Sequence, residues 1–154
     1  LLTGGISAGD YDYVLQAANL CGVKKIFHKV KQKPGKPLYF GKKENRLVFG
    51  LPGNPSSVLT CFYEYVIPAL EQLSQRKNII HTLSLPLLKY YQKKPGLTHF
   101  LKGQQKENKV MPLSAQESYR LSSFSLADCL VCLEEDKTIF KEGDIVEVHL
   151  LPVY

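Results

Sequence analysis

The chain has 154 residues, of which 44% are apolar and 22% carry a charged side chain, as is usual for globular proteins. These values exclude an intrinsically disordered tail, a collagen-like repeat and a coiled coil. No apolar run reaches the roughly 20 residues that a membrane-spanning helix needs, and no signal peptide is recognisable. The chain opens at Leu1 on an apolar run and its single methionine is Met111, so we expect it to be a portion of a longer protein.

Basic residues are concentrated in the first part of the chain. Residues 1–109 contain 17 Lys and Arg against 6 Asp and Glu, whereas residues 110–154 contain 3 against 8. Nine of the basic residues fall within 24–46, together with the acid Glu44. Such a segment is ordinarily a solvated surface, but it is also what a polyanionic ligand requires.

The first half of the chain predicts alternating strands and helices. The segment LLTGG is typical of a buried strand that enters a glycine turn, and the helix that follows it should end at Gly22. Asn54 and Pro55 are suited to the start of a second helix, which extends to Ser74 and should kink or restart at Pro68. The strands predicted between the helices are KKIFHKVK, LYFG and RLVFGL, with turns at QKPGKP and LPGNP.

After Ser74 the pattern changes to that of short strands separated by turns. The simplest interpretation is an α/β unit in residues 1–77 followed by a small all-β unit in residues 78–154. A parallel strand at the start of the chain needs neighbours on both sides, so we expect the first unit to hold only part of its sheet. The strands predicted in the second unit lie near 81–92, 98–105, 109–113, 127–134 and 144–150.

The cysteines do not indicate a metal or redox site. Cys129 and Cys132 form a CxxC motif on a predicted strand, where an offset of three residues directs the two thiols to opposite faces. The histidines show no ligand spacing. We therefore expect reduced thiols that behave as small apolar residues, in a cytoplasmic protein.

Glycine-rich turns follow the predicted strands of the first unit, and ligands of open α/β sheets collect at the carboxyl ends of the strands. Within TGGISAGDYD, glycines allow backbone amides to approach a phosphate or pterin closely, and hydroxyls add donors. Asp10 and Asp12 follow at a predicted helix start. They are suited either to capping the helix or to holding Mg²⁺ beside a phosphate. The glycines and hydroxyl residues concerned are Thr3, Gly4, Gly5, Ser7 and Gly9.

Four lysines come next along the chain. On a continuous strand Lys29, Lys31 and Lys33 would share one face, and Lys36 would lie in the adjoining turn. A single lysine in such a place is ordinarily solvated. Three on one face that opens onto a glycine turn favour a pocket for an oxyanion or a phosphate.

Three segments, TGGISAGDYDYV, KVKQKPGKPLYFG and VFGLPGNPSSVLTCFYEYVIPAL, resemble the MoeA family of molybdopterin molybdenumtransferases, which includes the E domain of gephyrin. The tail is similar to that family's C-terminal domain through PGLTHFLKG, SYRLSSFSLADCLVCL and KEGDIVEV. TGG alone is shared with related pterin-adenylylating domains, whereas its combination with GDYD, KPGKP and GLPGNP is specific. The resemblance implies a partial three-layer α/β domain, with a mixed sheet and flanking helices of the molybdopterin-binding type, followed by a small all-β barrel domain.

The function that the resemblance implies is the last step of molybdenum cofactor synthesis. Molybdate is inserted into adenylylated molybdopterin, and AMP is released in a reaction that depends on Mg²⁺. The resemblance makes Asp12 the essential acid, with Asp10 as its metal or water partner, and makes Lys29 and Lys33 the pair that binds molybdate or the pterin phosphate. It also implies that the turn formed by Pro52, Gly53, Asn54 and Pro55 shapes the same pocket.

Further implications of the resemblance concern the second unit and the assembly. Lys102 occupies the place of a family arginine, which preserves the charge but not the bidentate geometry. Ser118 matches a serine that faces the pocket from the partner subunit of a homodimer. A contact with the molybdopterin adenylyltransferase is also expected. Because other family carboxylates would lie upstream of Leu1, we expect residues 1–154 alone to have no measurable activity.

Two other classes of function share features with this sequence. A gephyrin-like scaffold without catalysis would use the same units for interaction, but it has no need of the acids and lysines. A nucleic-acid-binding protein should interleave aromatic and basic residues on one strand face, and Tyr90, Tyr91, Lys93 and Lys94 form the one such cluster. We therefore expect small-molecule substrates, with no nucleic acid and no membrane as partners.

Overall fold

A computed structural model describes residues 1–6, 13–76, 80–114, 116 and 123–152. Strands dominate these ranges, and the α-helices of the described residues lie in the first half of the chain. In chain order the elements are β1 (Leu2–Thr3), α1 (Tyr13–Leu20), β2 (Lys24–His28), β3 (Gln32–Lys33), β4 (Tyr39–Lys43), β5 (Arg46–Leu51), α2 (Pro55–Cys61), a π-helical turn (Phe62–Val66), α3 (Ile67–Ser74), β6 (Thr82–Pro86), β7 (Tyr91–Gln92), β8 (Thr98–Lys106), β9 (Lys109–Pro112), β10 (Cys129–Leu133), β11 (Ile139–Phe140) and β12 (Ile145–Leu150).

The first unit is a mixed sheet with helices on both faces. Its strand order is β1-β5-β4-β2, and β1 runs parallel to β5 while the other pairs are antiparallel. Alternate residues of β5 point to opposite faces. Phe49 and Leu51 join the apolar cluster of α2 and α3, and Val48 joins the cluster of α1. The three-layer α/β architecture predicted from the sequence is confirmed.

The strands of the second unit enclose a hydrophobic core. Its main sheet has the order β3-β8-β10-β12-β6, with β9 also paired to β8. Leu87 forms a parallel bridge with Val110, which brings the β6 side of the sheet towards β9 and curls it around the core. The buried apolar side chains of this core are Leu85, Leu87, Leu101, Val110, Cys129, Val131, Leu133, Phe140, Val146 and Val148.

The prediction of a continuous lysine strand is wrong. Strand β2 ends at His28, because Lys29 adopts a left-handed backbone conformation with φ of 73°. Strand β3 then leaves the first sheet and pairs in parallel with β8, Lys33 opposite His99. Lys31 forms an ion pair with Glu135 at 2.8 Å. The three lysines therefore do not share a strand face.

The second predicted helix is interrupted just before Pro68, the residue at which the sequence predicted a kink or a restart. Asn54 occupies the N-cap position with extended dihedral angles and Pro55 is the first helical residue, although Asn54 makes no side-chain capping hydrogen bond. The π-helical turn directly precedes α3, in whose first turn Pro68 lies. Proline has no amide hydrogen for the preceding turn and cannot continue a regular hydrogen-bond ladder. The predicted restart is confirmed.

The cysteines lie as their spacing predicted. All four are free. Cys129 belongs to the core of the second unit, and Cys132 lies on the other face of β10. Burial is the main cause that raises the pKa of the Cys132 thiol to about 12, so this thiol stays protonated at neutral pH.

Among the helices of the described ranges, none has the length and apolar character needed to cross a membrane.

Candidate anion-binding site between the two units

Two of the turns singled out in the sequence lie side by side. Because β1 and β5 are parallel, the turns that follow them emerge at the same edge of the sheet, and the Gly4 amide donates to the Leu51 carbonyl at 2.9 Å. A Cβ atom built on Gly53 would lie 3.5 Å from the Gly4 Cα atom. Gly4 also has φ of 81°, a conformation that glycine adopts without strain. The TGG and PGNP turns therefore pack backbone to backbone, as the parallel sheet predicted.

The KPGKP turn is held in place by the backbone on both sides of it. The Val30 amide donates to the Lys36 carbonyl, and the Lys29 amide donates to the Leu38 carbonyl, both at 2.9 Å. At the centre of the turn, Gly35 is buried and has φ of 89°. The turn thus projects its two lysines from a closed loop between β3 and β4.

A cavity of about 680 Å³ lies between this turn, the start of α2 and strand β8. The cavity is open to solvent and combines cationic, hydroxyl and apolar groups. Its volume falls within the usual range for a small-molecule site. The polar side chains of its lining that matter for ligand chemistry are Lys33, Lys36, Ser57, His99, Ser114 and Gln116.

His99 is a neutral hydrogen-bonding group beside the lysines. Its side chain is buried, and burial, followed by the positive charges of Lys33 and Lys93, lowers the pKa of His99 to about 4. The imidazole is therefore uncharged at neutral pH, with one nitrogen able to donate and the other able to accept. Lys33 and Lys93 add positive charge to the surroundings of His99, as an anion site requires.

Lys102 approaches the same region from the second unit. It is 3% exposed, and its Nζ atom donates to the Ser56 hydroxyl at 3.3 Å and lies 5.6 Å from the centroid of the Phe124 ring. Ser56 directly precedes Ser57, which lines the cavity. Strand β8 thus places a buried cation against the start of α2.

Gln116 forms side-chain hydrogen bonds with the backbone of β8 and of the residue that follows β9. Its amide nitrogen donates to the carbonyls of Lys102 and Leu113 at 2.8 and 2.7 Å, and its oxygen accepts from the Lys102 amide at 2.9 Å. The side chain therefore replaces a missing strand partner of β8. Gln116 and His99 were not predicted as site residues, because their place depends on the pairing of β3 with β8 and on side-chain contacts that leave no periodic signal in the sequence.

The other predicted site residues divide into three groups. Ser7, Gly9, Asp10, Asp12 and Ser118 lie outside the described residues. The described ranges contain no group of three or more His, Cys, Asp or Glu side chains suited to a metal ion. Lys29 is described but does not line the cavity. The remaining members, Thr3, Gly4, Gly5, Pro52, Gly53, Asn54 and Pro55, form the two adjacent turns.

Two members of the aromatic and basic cluster around residue 90, Tyr91 and Lys93, are turned into the second unit. Tyr91 packs against the core of the second unit. Lys93 is buried, and its Nζ atom donates to the carbonyls of Leu97 and Glu135, both at 2.9 Å. These two side chains therefore stabilise the loop that carries them.

Two family models match the chain. A model described as a probable molybdopterin binding domain matches residues 1–72, and a model described as MoeA C-terminal region (domain IV) matches residues 84–151. The matches coincide with the three-layer unit and the all-β unit. Fold and sequence together define a molybdopterin-binding α/β domain joined to a MoeA-type C-terminal domain.

Individual relatives agree with this class. The molybdopterin molybdenumtransferase of Haemophilus influenzae is 32% identical over 168 aligned positions, which cover 98% of this chain and 40% of the relative. The Synechocystis molybdopterin molybdenumtransferase is 31% identical, with 94% and 36% covered. The crystal structure of the molybdopterin biosynthesis moeA protein from Pyrococcus horikoshii superimposes with a TM-score of 0.72 at 25% identity, over 92% of this chain and 39% of that one.

The chain belongs to the MoeA family of molybdopterin molybdenumtransferases and corresponds to the C-terminal portion of its members. It spans 40% of the length of the Haemophilus influenzae relative. The resemblance recognised in the sequence is confirmed.

Proposed function

We propose that the chain supplies the anion-binding part of a molybdopterin molybdenumtransferase, which inserts molybdate into adenylylated molybdopterin and releases AMP. The observation that carries the proposal is the cavity between the two units, where Lys33 and Lys36 stand beside Ser57 and His99. Molybdate and the pterin phosphate are both oxyanions, and cations with neutral donors in a partly closed cavity are suited to them. The Haemophilus influenzae and Synechocystis relatives are molybdopterin molybdenumtransferases, which supports a transfer of molybdenum, and the adenylylated substrate and the release of AMP are what the family resemblance implies.

The residues of the cavity have separate roles in this proposal. Lys33 and Lys36 hold the oxyanion, and Ser57 and the neutral His99 donate hydrogen bonds to its oxygens. Lys102 adds positive charge from beneath the start of α2. The TGG and PGNP turns bring backbone amides to the pterin phosphate, and Asp12 acts as the essential acid. Bound by Asp10 and Asp12, Mg²⁺ would offset the charge of the pyrophosphate.

The test of the anion site is the binding of molybdate to the 154-residue chain, measured by calorimetry. Lys36→Gln should weaken binding about tenfold or more, as expected when a charged donor is lost. Lys42→Gln makes the same change of charge at an exposed position of β4 and should leave the affinity unchanged. Equal losses in the two variants would mean that only the overall charge matters, which would contradict the assignment of the cavity.

The test of the reaction is a chimera in which residues 1–154 replace the corresponding segment of the Haemophilus influenzae relative. The chimera should insert molybdenum into adenylylated molybdopterin. Asp12→Ala should abolish insertion while the protein remains folded, because a carboxylate at a helix start contributes only about 1 kcal/mol as a cap. Asp10→Ala should do less damage. Normal turnover by the Asp12→Ala chimera would leave Asp12 with a capping role alone.

The remaining parts of the proposal concern assembly and place. We expect a homodimer in which Ser118 reaches the pocket of the partner subunit, and a contact with the molybdopterin adenylyltransferase that supplies the substrate. We also expect a cytoplasmic protein, in keeping with a biosynthetic role and reduced thiols. The division at residues 77 and 78 stays a prediction, and the observed pairing of β3 with β8 shows that the two units share a sheet.

A further inference from the structure

A buried side-chain network lies directly beneath the KPGKP turn. Gln32 is 2% exposed. Its Nε2 atom donates to the Pro34 carbonyl at 2.9 Å and to the Cys61 sulfur at 3.6 Å. Its Oε1 atom accepts a hydrogen bond from the Tyr65 hydroxyl. One amide side chain therefore connects the backbone of the turn to the helix behind it.

Cys61 makes a second connection to the turn. Its Sγ atom lies 3.6 Å from the Gly35 carbonyl, to which the thiol donates, and the side chain is fully buried. The fit is close, because a Cβ atom built on Gly35 would overlap this sulfur and lie 2.8 Å from Gln32 Nε2. Burial and the neighbouring Glu64 raise the pKa of Cys61 to about 12, so the thiol keeps its donor at neutral pH.

The π-helical turn supplies the third member of the network. A π-helical turn has a wider spacing than an α-helix and therefore changes the direction of the side chains that it carries. Tyr65 of this turn contacts Gln32, and its neighbour Glu64 contacts His149 of β12. Burial raises the pKa of Tyr65 to about 12, which keeps its hydroxyl available as a donor.

We propose that Gln32 is a positioning residue of the anion site, which acts together with Tyr65 and Cys61 to hold the KPGKP turn in the conformation that presents Lys33 and Lys36. The inference rests on the proposed function of the cavity and deepens it. Lysine side chains are flexible and lose conformational entropy when they bind an anion. A turn that is already fixed before binding loses little further conformational entropy. The affinity for the anion therefore depends on the groups that give the turn its shape.

The experiment is a double-mutant cycle on molybdate binding with the 154-residue chain. Tyr65→Phe keeps the ring and removes the hydroxyl donor to Gln32, and Gln32→Leu removes the amide at similar volume. Each should weaken binding about fivefold, the factor that one lost hydrogen bond accounts for. The double variant should bind molybdate no more weakly than the single variant with the lower affinity, because the two side chains act through one connection. Tyr90→Phe, at an exposed tyrosine that bonds Gln92, is the matched control and should bind normally.

Hydrogen exchange of the Lys29 and Val30 amides, which donate to the Leu38 and Lys36 carbonyls at the turn, gives a readout that a general loss of stability would not produce. Tyr65→Phe should speed exchange of these two amides and leave the β8 and β10 amides unchanged. Normal binding and normal exchange in Tyr65→Phe would overturn the inference and leave the proposed function intact. Absence of molybdate binding by the unaltered chain would instead contradict the proposed function. If Gln32→Leu fails to fold, Tyr65→Phe alone decides, because it leaves the packing in place.

Discussion

His149 Nδ1 lies 2.9 Å from both carboxylate oxygens of Glu64, which joins the last strand of the second unit to the π-helical turn of the first. The other imidazole nitrogen, Nε2, lies 2.9 Å from Glu147 Oε1. The His149 and Glu64 side chains are 15% and 8% exposed. Two carboxylates thus enclose one imidazole at the junction of the units.

This junction predicts a loss of stability at alkaline pH. Burial by itself lowers the pKa of His149, but the hydrogen bonds and charges of Glu64 and Glu147 outweigh it and raise the pKa to about 9. The folded pKa lies above the ordinary value of 6.5. The stabilisation is therefore complete below pH 6.5 and disappears as the pH rises through about 9. It amounts to about 3 kcal/mol in the free energy of unfolding.

Urea unfolding between pH 6 and 10 measures this effect. His149→Gln cannot titrate, so its stability should be lower at pH 6 and should approach that of the unaltered protein near pH 10. The adjacent Cys132, whose pKa is raised to about 12, does not ionise in this window. A constant difference between the two proteins across the range would show that His149 is uncharged in the fold.

Local sequence signals were sufficient for most of the elements. Gly22, with φ of 72°, terminates α1 as a capping glycine should, and Pro68 marks the interruption of the second helix. The break at Lys29 had no such signal, because a left-handed lysine is imposed by tertiary contacts and not by its own preference. Likewise, a strand of two residues carries no period, so the pairing of β3 with β8 was not foreseeable.

The candidate site was predictable to the extent that one turn contains it. Lys33 and Lys36 belong to a single Pro and Gly turn, and the structure brings both to one cavity. His99 reaches that cavity through the register that places it opposite Lys33. Gln32 opens the predicted turn QKPGKP, where a polar residue is ordinarily solvated, and only its burial between the turn and the helix reveals its contacts.

Gly35 should tolerate no side chain. Gly35→Ala places a methyl group against the Cys61 sulfur at φ of 89°. Gly96 has φ of 90° with no atom within 4 Å of an added Cβ, so Gly96→Ala isolates the cost of backbone strain. We expect a loss of about 1 kcal/mol for Gly96→Ala and of about 3 kcal/mol or more for Gly35→Ala, where overpacking adds to strain. Chemical denaturation measures the free energy of unfolding of both variants. Similar losses in the two would mean that the Cys61 side chain can move to accommodate the added methyl group.

The pKa of His99 should report the positive charge in the cavity. Because Lys33 is the largest charged contribution that lowers the pKa of His99, Lys33→Met should raise that pKa. Lys42→Met, on the exposed part of β4, should leave it unchanged. Titration of the imidazole signals by NMR makes the comparison. An unaltered His99 titration in Lys33→Met would place the Lys33 ammonium away from the cavity.

Lys102 provides the last prediction, because the family resemblance leads us to expect an arginine at this position. The residue is buried beside Ser56 and the Phe124 ring, and the family resemblance puts an arginine at this position. If positive charge is what the position supplies, Lys102→Arg should bind molybdate as well as the unaltered chain, since guanidinium keeps the charge and adds donors.

Lys102→Met keeps the length of the side chain and removes the charge, so it should weaken molybdate binding about tenfold. Its affinity should also depend less on salt concentration, because screening acts on one charge fewer. Calorimetry at low and high salt measures both quantities for the three proteins. Equal affinity and equal salt dependence in Lys102→Met would confine Lys102 to packing between β8 and α2. A loss in Lys102→Arg alone would show that size, and not charge, governs the position.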